Sequence, residues 1–209
     1  MKRYLFILGL ISLMTFSCDK VTKLEDDISF RKHNPYLILK PLDRVGQIST
    51  SECTKPFPFP SDSTQSVEID MNQDGNNDFE FTYSTRYEAI SPNDSCMNYS
   101  SSIVMKSIDF KNNILLKNKS TEEIQLFEEG SKVSNNLKAS TKAIIYLDDA
   151  INSEHFEIDN GNQYIGIKMF TGGYGWIKLF HRKDSMSFAI MEHAYNNTID
   201  FTIKAGQKN

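Results

Sequence analysis

The chain is poor in the residues that zinc proteins and nucleophilic enzymes depend on. Its 209 residues hold three cysteines, four histidines and one tryptophan. No CxxC pair occurs, and His33, His155, His181 and His193 show neither HxH nor HExxH spacing, so a zinc site or a histidine base has no local signature. There is no GxSxG elbow, P-loop or GxGxxG turn, the motifs that would place a nucleophile or cradle a phosphate. A long basic run is also missing and the formal net charge is −4, which argues against nucleic acid as a partner.

What remains is a composition of 39% apolar and 24% charged residues, typical of a globular chain of one domain or one domain plus a tail. The N-terminus, MKRYLFILGLISLMTFSCDK, places Lys2 and Arg3 before thirteen largely apolar residues, Tyr4 to Phe16. That is the anatomy of a secretory signal and too short for a membrane span, which takes about 20 residues. Thr15-Phe16-Ser17-Cys18 resembles the lipobox of bacterial lipoproteins, which implies cleavage after residue 17 and acylation of Cys18; ordinary signal cleavage is the alternative. Removing residues 1–17 leaves 21 basic and 27 acidic side chains, net −6. Residues 18–34, mixed in charge and without periodicity, read as a lipidated tether, and residues 35–209 as the folded domain.

The other two cysteines, Cys53 and Cys96, form an even remainder in an exported chain, which suggests a disulfide closing a loop of about 43 residues. Two independent thiols are the alternative. Between them, Pro56, Pro58 and Pro60 alternate with Phe57 and Phe59 in an extended surface segment, because proline withholds the donors a central strand needs.

From Val67 onward the dominant period is 2. Phe79, Phe81 and Tyr83 alternate with Glu80, Thr82 and Ser84, Ile103 and Met105 with Val104 and Lys106, and Ile144 and Tyr146 with Ile145 and Leu147. Further strands are expected at 36–40, 163–170, 174–182, 186–195 and 198–204. Only STEEIQLFE, residues 120–128, has the capping-box spacing of a helix start. The expected fold is mainly β, a single antiparallel sandwich of jelly-roll type with at most one or two short helices. The segment WIKLF, Trp176 to Phe180, is apolar on both faces and should lie between two layers. Trp176 is therefore read as core, with stacking on a sugar ring as the alternative role.

The most specific motif is DMNQDGNND, Asp70 to Asp78, which fits DxNxDGxxD. Calcium takes six to eight oxygens, and this spacing brings Asp70, Asn72 and Asp74 to one side of a tight loop. Gly75 permits the turn, Asn76 would offer its carbonyl, and Asp78 would complete the shell directly or through water. Position 12, a bidentate Glu in helix-loop-helix sites, is Phe81, so the loop belongs between strands with Phe79 and Phe81 in the core. A plain Asp-Gly hairpin is the competing reading. Calcium held here would be structural and weakly bound, roughly 10⁻⁴ to 10⁻³ M.

Tyr164-Ile165-Gly166, Tyr174-Gly175-Trp176-Ile177, Ala194-Tyr195-Asn196 and Ile203-Lys204-Ala205-Gly206, with Ile69 to Phe79 upstream, resemble a group of secreted Bacteroidetes-like lipoproteins. The resemblance implies a compact β domain and transfers no catalytic residues. The expected protein is thus a lipid-anchored envelope component, at the outer membrane, acting as a non-catalytic binding or accessory module toward a glycan or another envelope protein. The alternative is a glycan-active hydrolase whose two carboxylates are remote in sequence.

Overall fold

The structure, a computed structural model, describes residues 27–40, 62–89, 97–134, 136–149, 154–156, 158–182 and 187–209. Cys18, Cys53, Cys96 and the proline segment lie outside the described residues. The strands are β1 (Ile28–Leu39), β2 (Ser63–Ile69), β3 (Phe79–Ala89), β4 (Met97–Ser107), β5 (Asn113–Asn118), β6 (Glu123–Ile124), β7 (Leu126–Phe127) and β8 (Lys132–Val133). They continue as β9 (Lys138–Ser140), β10 (Lys142–Asp149), β11 (Glu154–Phe156), β12 (Gly161–Lys168), β13 (Tyr174–Arg182), β14 (Ser187–Asn196) and β15 (Ile203–Lys204). Among the described residues there is no helix.

The mainly β expectation holds, and the layers arise from one long sheet rather than two. Its order is β1-β14-β13-β12-β5-β6-β10-β4-β3-β2, antiparallel except where β6 meets β10. The two ends of this path come together: just past β1, the Lys40 backbone N–H donates to Gln65 Oε1 on β2 at 3.1 Å. The sheet is therefore curled nearly into a barrel. A separate two-stranded sheet, β8 with β15, belongs to the outside.

The period of 2 decides which side chains fill the interior. Phe79, Phe81 and Tyr83 from β3 meet Ile103 and Met105 from β4, with Ile165 and Ile167, Ile177 and Leu179, and Phe188 and Ile190 from the strands opposite, all buried. The intervening residues of β12, β13 and β14 form a second cluster on the outer face: Tyr164, Tyr174, Trp176 and Ala194, closed over by Val133, Ile203 and Ala205. Strands buried on both faces read as continuous apolar runs, which explains WIKLF. Gly166 lies where this outer layer is tightest, because a Cβ there would sit 2.6 Å from the Phe127 ring.

One bulge reverses that alternation. Lys178 pairs with Glu192 but Leu179 with Ile190, so Met191 is an extra residue on β14. On β1, Lys32 pairs with Glu192 and Leu37 with Ile190, so residues 33–36 bow out at the same level. Ahead of the bulge Phe188 and Ile190 enter the interior cluster; beyond it Tyr195 does, and His193 shares the parity of Tyr195. An extra residue shifts parity by one and exchanges the faces.

Three expectations are corrected. The first strand begins at Ile28, inside the stretch assigned to the tether, because Phe30 packs against Trp176 at 6.3 Å between ring centres and β14 supplies a ladder for it. Residues 120–128 do not form a helix. Asn118 Oδ1 accepts from the Ser120 N–H, Glu122 takes a φ of 54°, and the chain goes on as β6 and β7 with Ile124 buried. Local capping signals lose here to a period-2 burial demand. Finally, residues 198–202 form a turn, and only Ile203 and Lys204 pair as a strand.

Candidate metal loop and the end of the sheet that holds it

The DxNxDGxxD segment connects β2 to β3 as an irregular loop. Asp70 Oδ2 accepts the Gly75 N–H at 2.9 Å, Asn72 Oδ1 accepts the Asp74 N–H at 3.0 Å, and Asp74 Oδ1 accepts the Asn76 N–H at 2.8 Å. The side chains at positions 1, 3 and 5 thus fold back over their own backbone, as Asp and Asn do in tight turns. Gln73 and Gly75 adopt φ of 60° and 91°, the left-handed conformations that reverse the chain. Hydrogen bonds from Asn76 and Asn72 hold the Asp74 carboxyl below its ordinary value.

Asp78 behaves differently. Its Oδ2 accepts the Met71 N–H at 2.8 Å and its Oδ1 accepts from Asn112 Nδ2 at 3.1 Å, and the residue is buried. Asn112, also buried, passes the connection on: its Oδ1 accepts the Phe170 N–H at 2.8 Å. Burial raises the Asp78 pKa, the bonds from Met71 and Asn72 oppose that, and the nearby carboxylates of Asp70 and Asp74 add to it. Asp70, Asn72, Asp74 and Asn76 therefore share the exposed loop, whereas Asp78 ties its base to two neighbouring loops. Among the described residues no three His, Cys, Asp or Glu side chains form a ligand set. A cation here would rest on two carboxylates, Asp70 and Asp74, and on neutral oxygens.

This end of the barrel is knit together by hydrogen bonds. The Ile108 N–H donates to the Asp78 carbonyl, the Gly173 N–H to Asn196, the Tyr174 N–H to Phe201 and the Asn197 N–H to Asp27. With the Asp78–Asn112–Phe170 tie, the loops 70–78, 108–112, 169–173 and 197–202 and the start of β1 form one continuous rim.

A second buried polar site had no sequence signature. His33 Nε2 lies 3.2 Å from His193 Nδ1, with ring centres 5.2 Å apart, where β1 bows out beside the Met191 bulge. His193 is fully buried and its Nε2 has no hydrogen-bond partner. Burial first, then the proximity of His33 and Arg31, pushes the His193 pKa down to about 3; burial and Arg31 lower that of His33. Both shifts favour the neutral imidazoles, and the N–H of one ring donates to the bare nitrogen of the other. Only the parity change at Met191 could have pointed to the pair, because Glu192 and His193 lie on opposite faces: Glu192 turns outward to Lys208 Nζ at 2.9 Å.

Trp176 is not a sugar platform. It is fully buried, its Nε1–H donates to the Gln207 carbonyl at 3.0 Å, and Tyr164 meets it edge-on at 5.5 Å between ring centres. The chain matches no protein-family model, no curated protein and no solved structure.

Proposed function

We propose that this chain is an exported, lipid-anchored protein of the cell envelope, placed at the outer membrane through Cys18, whose β domain works by contact as a binding or accessory module toward a glycan or another envelope protein. The β2–β3 loop takes a calcium ion in a structural role. The observation that carries the calcium reading is the placement of Asp70 and Asp74 together in an exposed loop whose base is fixed by buried Asp78. Two carboxylates held at close range repel unless a cation lies between them. The signal-like N-terminus and Cys18 support anchoring.

Calcium has a direct test. With a weak extracellular-type affinity, 10 mM calcium should raise the melting temperature by roughly 3–11 °C. Asp74→Ala should remove that rise; an equal rise in the variant would discard the site. For anchoring, Cys18→Ala should move the protein from the membrane fraction to the soluble fraction.

A further inference from the structure

Of the seven large apolar side chains that stand exposed among the described residues, five occupy the knit rim: Ile108, Phe110, Phe170, Ile199 and Phe201. Phe110 is 77% and Ile199 65% exposed. They come from three separate loops, so one solvent-facing hairpin does not account for them. Lys111 joins two of these loops, its Nζ 4.8 Å from the Phe170 ring centre and 5.8 Å from that of Phe110. Concentrated apolar exposure of this kind marks a surface meant to be covered.

The chain enters the domain at this same end. The first described residue, Asp27, accepts the Asn197 N–H at 2.7 Å, one residue beyond the pairing of Ile28 with Asn196. Cys18 is nine residues earlier in sequence, and nine residues span at most about 30 Å. An acyl anchor at Cys18 therefore holds the rim, rather than the opposite end, toward the bilayer. Charge on the rim is mixed: Lys168 is paired with Asp200 at 2.7 Å, and the loops that carry Lys111 also carry Asp70, Asp74 and Asp109. Apolar insertion, and not a basic patch, is the contact such a surface makes.

We propose that the rim of the barrel, through Phe110, Phe170, Ile108, Ile199 and Phe201, seats in the interfacial layer of a lipid bilayer and holds the domain upright on it. Side chains of this kind enter the headgroup–acyl boundary, while a lysine stem lies along the apolar surface with its ammonium in water. The rim supplies a second point of attachment beside the acyl anchor, whose chains alone fix no orientation.

The inference rests on the anchored-envelope reading above, and the test separates the two. The full chain is bound to phosphatidylcholine vesicles, with and without doxyl-labelled lipid, as three variants: Phe170→Trp, Phe110→Trp and, at an exposed site of β1 away from the rim, Ile38→Trp. Native Trp176 is buried and contributes a constant background. Doxyl lipid should quench the added fluorescence of both rim variants by about half, as expected for rings at interfacial depth, and leave Ile38→Trp unchanged. Because the contact is apolar, a calcium chelator should not alter the result. Vesicle association with both rim variants unquenched, or with all three quenched alike, overturns the inference and leaves anchoring intact. Failure to associate at all overturns both.

Discussion

Asp78 and the His33–His193 pair are both buried polar sites that bind together segments far apart in sequence, yet they are built on opposite principles. Asp78 accepts the Met71 N–H on Oδ2 and the Asn112 amide on Oδ1, and Asn112 relays the connection to Phe170. The histidines share a single bond, and one ring nitrogen of His193 is left with no partner. The comparison teaches that burial of polarity does not itself weaken a fold; incomplete satisfaction does. It also predicts where each site breaks: the first by loss of its acceptor, the second by gain of a proton.

The largest effect should come from Asp78→Ala, which leaves the Met71 N–H and the Asn112 amide without their acceptor. A loss of about 2–4 kcal/mol in urea unfolding at pH 7 is expected. A loss within experimental error would mean that water enters the base of the loop and replaces the carboxylate.

Acid should act next, on the histidines. In the unfolded chain His193 takes up a proton near pH 6.5, whereas in the fold it does so near 3. Its stabilising contribution is complete above pH 6.5 and is lost by about 1.4 kcal/mol per unit as pH falls from 6.5 toward 3. His33, also lowered, has the same sign. Between pH 7 and pH 5, ahead of most carboxylate titration, the loss from His193 alone should reach roughly 2 kcal/mol. Urea unfolding of His193→Leu should show a flatter pH profile over that interval; an unchanged slope would assign the acid sensitivity elsewhere.

The smallest effect is the most local contrast. In calcium-free buffer Asp74→Ala should leave the melting temperature close to that of the parent chain, although Asp74 is only four residues from Asp78. One side chain lies in solvent and bonds within its own loop; the other is buried and spans loops. A large drop for Asp74→Ala without calcium would erase the distinction between the exposed loop and its base.

Much of the sheet was legible because its signal is strictly local. Phe79, Phe81 and Tyr83 alternate, and all three are buried; the double-faced run of β13 lies between two clusters. The loop was legible as a cluster of oxygens, and Phe81 at position 12 does enter the core. What could not be read depended on partners distant in sequence. The charged opening of β1 becomes a strand because β14 is there to receive it, and residues 120–128 abandon a capping signal because Ile124 is needed inside. Asp78 resembles a ligand in the motif but is claimed by Asn112, thirty-four residues away. The histidine pair requires an extra residue on β14 and a bow in β1 at one level, two irregularities that no periodic pattern records.

The pairing of β1 with β14 also sets an order in time. Among the described residues β1 finds its backbone neighbours only in β14, so the first strand to emerge has to wait for the last long strand of the chain. Closing a loop of that size is slow relative to local pairing. The central hairpins β2–β3–β4 and β12–β13–β14 can form from neighbours alone, whereas the seam holding the N-terminal segment to the domain is sealed last. Until β14 is in place the N-terminal segment has no ladder to join, so its attachment reports completion of the sheet rather than its beginning.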